Sequence, residues 1–339
     1  MIAQRIVRVL SALEHAFSSM HPPRIALLRQ EVSAPLAALE AETASGRLAE
    51  AAELTMQAAH LFADTAPPEQ ALPRFFASFS AFARAQAVLY GLRGEHAAIG
   101  RFFALPAWHG RLSDLDPPTP AGVRTGVFES SSTNAAGRGF AFYVPERYEP
   151  GRAWPLIVAL HGGGGNGRDF LWTWLREARS RAYLLLAPSS HGSTWSFLGA
   201  DVDALRLQSL IAWLGERWRI DSQRVLLTGL SDGGTYTILC GLQADAPYTA
   251  LAPGAGVLHP ANLSNGNLER ARGKPVYLIH GALDWMFPVA LARAARMVLE
   301  QAGAALVYRE LAYLSHAWPR EENARILDWF DGLHPPPHA

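Results

Sequence analysis

One segment constrains the fold more than any other, because it joins a buried strand to a helix through a turn rich in glycine. Residues 225–228 form a short apolar run, the sequence GLSDGG follows from residue 229, and residues 235–243 continue with a helical pattern. Glycines flank Ser231 since side chains there would clash with the neighbouring strand or helix. A serine that only caps the helix is the simpler alternative. The strand before and the helix after it favour a serine projecting from the edge of a sheet.

The chain beyond residue 121 alternates between strand-like and helical segments. Strands that alternate with helices are typical of a parallel sheet covered on both faces. We therefore predict an α/β fold with a mostly parallel sheet. The strand-like runs lie at residues 122–128, 139–144, 156–160, 183–187, 225–228, 276–279 and 306–311.

The first third of the chain has a different pattern, with apolar residues at helical spacing. One stripe runs from Ile2 to Phe17 and another from Leu72 to Leu89. A proline-rich stretch then interrupts both helix and strand patterns. The predicted boundaries are an all-helical region at residues 1–112, a linker at 113–121 and an α/β domain that carries the site at 122–339.

Two roles are open for the helical region. It is either a cap over the site or a dimerisation surface through which the chain forms a homo-oligomer. The stretch from Leu72 to Tyr90 is apolar enough for both roles. Packing within the region itself is the simpler interpretation of that stretch.

The charge balance and the length of the apolar runs exclude several kinds of partner. The chain has 30 Lys and Arg residues against 30 Asp and Glu residues, so it lacks the clustered positive charge that nucleic acids and anionic membranes require. No apolar run approaches the roughly 18 to 20 residues of a membrane span. We expect a small-molecule substrate, no nucleic-acid partner and no membrane partner.

Cysteine content and the N-terminal sequence favour a reducing compartment. Cys240 is the only cysteine, so the chain cannot form an intrachain disulfide or a multi-thiolate metal cluster. Arg5, Arg8 and Glu14 interrupt the apolar segment that a secretory signal needs. We therefore expect a cytoplasmic protein.

Two loops supply the base and the acid that a nucleophilic serine needs, since its hydroxyl reacts only when an oriented histidine removes the proton. The sequence HGALD puts Asp284 just beyond the carboxyl end of a predicted strand. The sequence SHAW puts His316 on the loop after the last predicted strand. Each residue alone is more often a cap or a surface group. Their chain order predicts Ser231 as nucleophile, Asp284 as acid and His316 as general base.

A glycine run offers donors for the oxyanion that forms during acyl transfer. The sequence HGGGG at residues 161–165 follows a predicted strand, and glycines can turn backbone N–H groups into a cleft. We predict the N–H groups of Gly163, with Gly162 as the alternate, and of Asp232 as the donors. We expect the Asp232 carboxylate to point away, because negative charge near an oxyanion is unfavourable. Phosphate binding is disfavoured, since neither GxxxxGK[ST] nor a complete GxGxxG fingerprint is present.

Three tryptophans lie on predicted loops beside these residues, namely Trp195, Trp285 and Trp318. Their indoles could wall an apolar or aromatic acyl pocket. Packing alone is an equally good interpretation. The sequence leaves both open.

Taken together, the motifs GLSDGG, HGxxD, SHxWP and HGGGG resemble those of the α/β-hydrolase superfamily. Within it they are similar to the phospholipase/carboxylesterase-like branch, with its polyhydroxybutyrate-depolymerase-like and feruloyl-esterase-like predicted esterases. The resemblance covers roughly residues 120–332 and leaves out the helical region. It implies an α/β-hydrolase fold and a serine hydrolase that cleaves carboxylic esters through an acyl-enzyme intermediate. It also implies no cofactor, and we predict no metal site.

The same three residues would serve other reactions, because specificity resides in the pocket and not in the triad. A thioesterase or an acylaminoacyl-type peptidase therefore remains open. A hypothesis of another class is a catalytically silent hydrolase scaffold that carries a helical binding module. The complete order of Ser231, Asp284 and His316 argues against a silent scaffold.

Overall fold

The computed structural model describes residues 2–118, 122–130 and 139–334. The chain divides into two compact units, Met1–Pro118 and Thr119–Ala339. Part of the predicted linker, residues 119–121, lies outside the described residues, as does the end of the predicted α/β domain from residue 335 onward. No helix in the described ranges is long and apolar enough to cross a membrane.

The first unit is helical, and its helices bury the apolar stripes that the sequence shows. Ile6, Leu10 and Leu13 on the first helix are fully buried. The ring of Phe17 packs edge-on against four other aromatic rings, those of Phe62, Phe75, Phe79 and Phe82. The prediction of a helical N-terminal region is confirmed. Its helices are α1 (Ile2–Ser18), α2 (Ile25–Glu40), α3 (Gly46–Ala63), α4 (Ala71–Tyr90) and α5 (Ala97–Phe102).

The second unit is built on one eight-stranded sheet with the order β1-β2-β4-β3-β5-β6-β7-β8. The first two strands pair in antiparallel fashion, and β3 to β8 run parallel to one another. The strands are β1 (Gly126–Glu129), β2 (Phe140–Val144), β3 (Trp154–Leu160), β4 (Leu184–Pro188), β5 (Ile220–Leu230), β6 (Ala250–Gly254), β7 (Pro275–Gly281) and β8 (Ala305–Leu311).

Helices connect the parallel strands and cover the sheet. All residues of β3 and β4 are buried, as expected for central strands of a sheet covered on both faces. The predicted α/β fold with a mostly parallel sheet is therefore confirmed. The helices of this unit are α6 (Gly167–Arg181), α7 (Val202–Gly215), α8 (Asp232–Gly241), α9 (Ala261–Ser264), α10 (Val289–Gln301) and α11 (Glu322–Gly332).

The parallel strands place the predicted site residues at one edge of the sheet. Parallel neighbours end on the same side, and open α/β sheets build their sites beyond those carboxyl ends. The glycine run follows β3, Ser231 follows β5, and the loops that carry Asp284 and His316 follow β7 and β8.

Candidate active site

Ser231 stands between β5 and α8 in a backbone conformation that residues other than glycine rarely adopt. Its φ is 58° and its ψ is −118°, a conformation that costs roughly 1–3 kcal/mol and persists only when the surroundings enforce it. The Ser231 N–H donates to the Gly254 carbonyl at 2.9 Å, and the Ser231 carbonyl accepts from Thr235 N–H at 2.9 Å. Neighbouring strand and helix thus hold the serine at the turn.

The glycines on either side of the serine are required by close backbone approach. A Cβ atom at Gly229 would lie 2.4 Å from the Gly233 carbonyl oxygen, and one at Gly233 would lie 2.4 Å from the Leu160 carbonyl oxygen. Neither backbone group can shift at low cost, because the Gly233 carbonyl belongs to α8 and the Leu160 carbonyl belongs to β3. The GLSDGG sequence therefore follows from the geometry of the turn.

The structure brings Ser231, His316 and Asp284 into one hydrogen-bonded chain. The Ser231 Oγ lies 2.9 Å from His316 Nε2, and His316 Nδ1 lies 2.8 Å from Asp284 Oδ2. A carboxylate only accepts, so Nδ1 carries the proton and Nε2 is left to accept from the serine hydroxyl. The imidazole is thereby oriented as a base toward Ser231. We call this chain of contacts the Ser–His–Asp relay.

The Asp284 carboxylate is buried and surrounded by donors. Its Oδ1 accepts from the backbone N–H groups of Met286 at 2.9 Å and Phe287 at 2.8 Å. Its Oδ2 accepts from His316, and His280 Nε2 lies 3.3 Å away. A buried negative charge requires such hydrogen bonds. The turn after Asp284 therefore stabilises the ionised carboxylate and fixes its direction.

His280 is a site residue to which the sequence analysis assigned no role. Its side chain is fully buried, and its Nε2 lies 2.7 Å from the Phe287 carbonyl oxygen as well as near Asp284. A carbonyl only accepts, so Nε2 carries a proton and donates it to the Phe287 carbonyl. This hydrogen bond stabilises the turn from Asp284 to Phe287. The signal in the sequence was a histidine four residues before the acid at the end of a strand.

The glycine run after β3 lies against Ser231 and Asp232. The N–H groups of Gly164 and Gly165 already donate to the carbonyls of Ser193 and Gly162. Within the described chain, no acceptor takes the N–H groups of Gly162 or Gly163. A Cβ at Gly162 would lie 3.4 Å from Ser231 Cβ, while one at Gly163 would meet the Asp232 carboxylate. The backbone of Gly162 thus packs against the Ser231 side chain, and the backbone of Gly163 packs against the Asp232 side chain.

His161 supports this glycine run and was also missed by the sequence analysis. Its Nδ1 lies 2.6 Å from the Gly162 carbonyl, so Nδ1 donates, and its Nε2 accepts from Ser190 N–H at 3.0 Å. The Trp195 Nε1–H donates to the His161 carbonyl at 2.8 Å. These bonds fix the tautomer of His161 and the path of the backbone that leads into Gly162.

Two of the three tryptophans predicted to lie beside the site are buried. Trp195 is buried between His161 and Tyr236, with a centroid distance of 5.3 Å to the Tyr236 ring. Trp318 is buried and donates to Asn323 Oδ1 at 2.7 Å. Trp285 alone of the three is exposed, with 58% of its surface accessible. The indoles of Trp195 and Trp318 thus pack in the interior, as in the packing alternative that the sequence left open, and a pocket role for the three tryptophans stays a prediction.

The described residues offer few alternatives to this chemistry. No group of three or more His, Cys, Asp or Glu side chains in the described ranges could hold a metal ion. Cys240 is buried, and burial together with the nearby Asp201 carboxylate raises the pKa of its thiol to about 12. A thiol reacts as its thiolate, so Cys240 is inert at neutral pH.

The strands and the candidate site have the arrangement of one fold class. The strand order, the strained serine between strand and helix, and the relay beyond the carboxyl ends of the strands are the arrangement of an α/β hydrolase. Residues 199–332 match the family described as phospholipase/carboxylesterase. This stretch contains Ser231, Asp284 and His316, and the match confirms the predicted resemblance to that branch.

Two proteins named as esterases are similar to part of the chain. A bifunctional acetylxylan esterase/xylanase from Neocallimastix patriciarum is 29% identical over 153 residues, which are 44% of this chain and 22% of that protein. A probable feruloyl esterase C from Aspergillus terreus is 25% identical over 166 residues, which are 46% of this chain and 58% of that protein. The chain thus spans less than two thirds of the length of either relative.

Solved structures agree with the fold. The crystal structure of a thermostable esterase has a TM-score of 0.50 at 23% sequence identity, covering 61% of this chain and 62% of that chain. At this identity the likeness concerns the fold alone.

Proposed function

We propose that this chain is a serine hydrolase that cleaves carboxylic esters. The observation that carries the proposal is the unbroken relay from Ser231 Oγ through His316 to the buried Asp284 carboxylate, with contacts of 2.9 and 2.8 Å. The two curated relatives are named as esterases, which favours an ester over a thioester or an amide.

The reaction takes place in two halves. Ser231 Oγ attacks the ester carbonyl while His316 Nε2 takes the hydroxyl proton, which it then gives to the departing alcohol as the carbon–oxygen bond breaks. Water next attacks the carbonyl of the acyl-enzyme while His316 Nε2 takes a proton from the water. The bond from the acyl carbon to Ser231 Oγ then breaks, His316 returns the proton to Ser231 Oγ, and the acid leaves. Asp284 stays ionised throughout and stabilises the imidazolium that forms in each half.

Backbone N–H groups stabilise the oxyanion in both halves of the reaction. The donors proposed are Asp232 at the start of α8 and Gly162 or Gly163 on the turn after β3. Removing one such donor typically costs about 100- to 1,000-fold in kcat. They are main-chain groups, so the fold itself and not any single side chain supplies this contribution.

An aromatic or apolar part of the substrate fits the surroundings of the relay. The Phe287 ring meets the His316 ring edge-on at a centroid distance of 5.2 Å. Trp285, next to Asp284, offers an exposed aromatic surface. One relative is named as a probable feruloyl esterase, so a feruloyl ester is a natural member of any substrate panel for this chain.

The test is hydrolysis of p-nitrophenyl esters of increasing acyl length, a feruloyl ester, an acyl thioester and an aminoacyl p-nitroanilide by the purified chain. We expect turnover of the oxygen esters that disappears in Ser231→Ala. Ser209→Ala is a matched control, because it removes an exposed hydroxyl from α7. Full activity in Ser231→Ala would overturn the assignment of the nucleophile. Cleavage confined to the thioester or the anilide would replace the ester proposal with the corresponding alternative.

A further inference from the structure

The carboxylate of Asp232, the residue after the nucleophile, lies against the glycine turn that follows β3. Asp232 directly follows Ser231, and its Oδ2 accepts a hydrogen bond from the Thr194 hydroxyl. A Cβ at Gly163 would lie 2.5 Å from that same Oδ2. The carboxylate therefore does not point away from the glycine turn, as the sequence led us to expect, but rests against it.

In the described part of the chain, no cation compensates the charge of Asp232. Among the described residues no Lys, Arg or His forms an ion pair with it, and its side-chain hydrogen-bond donor is the neutral Thr194 hydroxyl. The Asp284 side chain, by contrast, is fully buried and accepts hydrogen bonds from three N–H groups, those of Met286, Phe287 and His316. Asp232 is partly exposed, so its field reaches the space that the substrate occupies.

The position of Asp232 at the start of α8 explains how the chain tolerates this charge. The first N–H groups of a helix carry partial positive charge, which stabilises a carboxylate in the first turn. Such stabilisation is modest at a partly exposed position and leaves the net charge in place. A purely structural role would therefore account for an acidic residue here but predicts nothing about the charge of the substrate.

We infer that Asp232 selects among ester substrates by their charge. It favours esters that are neutral or cationic near the scissile bond and disfavours anionic ones. This inference rests on the proposed ester hydrolysis. A unit charge about 6 Å away, at an effective dielectric constant between about 20 and 80, shifts the balance between a cationic and an anionic ester at least about tenfold. Thr194 acts as a positioning residue that holds the carboxylate against the glycine turn.

The experiment uses three aryl acetates of similar shape and different charge. They are 3-acetoxy-N,N,N-trimethylanilinium, 3-tert-butylphenyl acetate and 3-acetoxybenzenesulfonate. The quantity measured is kcat/KM for the cationic ester divided by kcat/KM for the anionic ester, in the full chain. Intrinsic differences between the leaving groups cancel when this ratio is compared between variants. We expect Asp232→Asn to lower the ratio about tenfold or more.

Two further measurements distinguish an effect of the Asp232 charge from an effect of the shape of the glycine turn. Thr194→Val keeps the carboxylate charge and removes only its hydrogen bond, so we expect the ratio to stay closer to that of the wild type than to that of Asp232→Asn. In the unmodified chain, raising the ionic strength from about 0.01 M to about 1 M shortens the Debye length from about 30 Å to about 3 Å and is expected to lower the ratio. This arm needs no variant, so a ratio that does not change with salt overturns the inference even where Asp232→Asn fails to fold.

The outcomes distinguish this inference from the proposed function. Ser231-dependent hydrolysis with a ratio that neither Asp232→Asn nor salt changes would overturn the role of Asp232 and leave ester hydrolysis standing. Equal loss of the ratio in Thr194→Val and Asp232→Asn would assign the effect to the shape of the turn and also overturn it. Absence of Ser231-dependent turnover of all three acetates, and of the esters in the wider panel, would overturn the proposed function and this inference together.

Discussion

At the scale of single residues, the direction of the His316 ring depends on what surrounds Asp284. The carboxylate accepts from the N–H groups of Met286 and Phe287 on one oxygen and from His316 on the other, with His280 Nε2 at 3.3 Å. All the groups that face it are donors. The proposed mechanism therefore requires an acceptor-only group at this position.

Asp284→Asn tests that requirement. In either orientation of the new amide, its NH2 group faces a donor, which is either the two backbone N–H groups or the His316 ring. An amide NH2 group next to His316 Nδ1 favours the tautomer that carries its proton on Nε2, which cannot accept from Ser231. We expect kcat to fall about 10⁴-fold with little change in KM. The measurement is steady-state kinetics on the best p-nitrophenyl ester, with the exposed Asp245→Asn as the matched control. A kcat close to that of the control would show that Asp284 does not orient the base.

His280→Phe tests whether the second buried histidine positions Asp284. The variant loses the Nε2–H that donates to the Phe287 carbonyl and faces the carboxylate. A hydrogen bond between neutral groups is worth about 0.5–1.5 kcal/mol, so we expect kcat to fall about 2- to 10-fold. Thermal unfolding and kinetics are measured together, with the exposed His60→Phe as the control. A folded variant with unchanged kcat would contradict the positioning role.

At the scale of elements, the parallel strands account for what the sequence could predict. Short apolar runs marked β5, β7 and β8, and parallel strands share a carboxyl edge, so the loops that follow them were expected to bring Ser231, Asp284 and His316 together. The structure places the three within hydrogen-bonding distance. The GLSDGG sequence was equally informative, because close backbone approach at Gly229 and Gly233 leaves no room for a side chain.

Other features depend on contacts between segments far apart in the sequence. The hydrophobic pattern of a strand does not reveal its neighbours, so the placement of β4 between β2 and β3 could not be predicted. A loop position does not reveal which way a side chain turns, so Trp195 and Trp318 were not assigned to the interior. Thr194 had no signal of its own, because its role exists only where the Asp232 carboxylate approaches it.

One helix, α11, is attached to the sheet by a buried carboxylate. The Glu322 side chain is fully buried and accepts from Tyr277 on β7 at 3.0 Å and from Arg309 on β8 at 3.1 Å, and also from Arg325. Burial alone would raise the pKa of Glu322, but the hydrogen bonds from Arg309, Arg325 and Tyr277 hold that pKa below its usual value of 4.5. The ionised form thus stabilises the folded state.

Glu322→Gln tests this attachment. A carboxyl pKa that is lower in the folded than in the unfolded chain adds stability above the unfolded pKa, and this stability is lost as the pH falls through the folded pKa. We expect the variant to lower the free energy of unfolding by about 2 kcal/mol at pH 7. The difference from wild type should shrink as the pH falls below 4.5. Urea unfolding at several pH values measures this difference in the free energy of unfolding. The control is Glu300→Gln, which removes a carboxylate from an exposed ion pair. A difference that is independent of pH would contradict the linkage.

At the scale of the whole molecule, the parts of the proposed site lie in one of the two compact units. The relay residues, the glycine turn and Asp232 all belong to Thr119–Ala339, as does the stretch that matches the phospholipase/carboxylesterase family. The helical unit Met1–Pro118 contributes none of these groups. Its predicted roles, a cap or a dimerisation surface, remain predictions.

A fragment of residues 119–339 tests whether the second unit is active without the helical unit. We expect this fragment to retain Ser231-dependent hydrolysis of a small ester such as p-nitrophenyl acetate, since it contains every group that the mechanism uses. Comparison with the full chain also tests the helical unit. A change in oligomeric mass would support dimerisation, and a change in preference for bulky esters would support a cap. A folded fragment without any turnover would show that the site needs the helical unit.

The central claim, that Ser231 carries the acyl group, is tested most directly by trapping the acyl-enzyme. The chain is mixed with excess p-nitrophenyl ester, quenched in acid within the first turnover, digested and analysed by mass spectrometry. The account predicts a burst of p-nitrophenol that approaches one equivalent and an acyl adduct on the peptide that contains Ser231, both absent in Ser231→Ala. An adduct on another residue, or steady turnover with the Ser231→Ala variant, would contradict it.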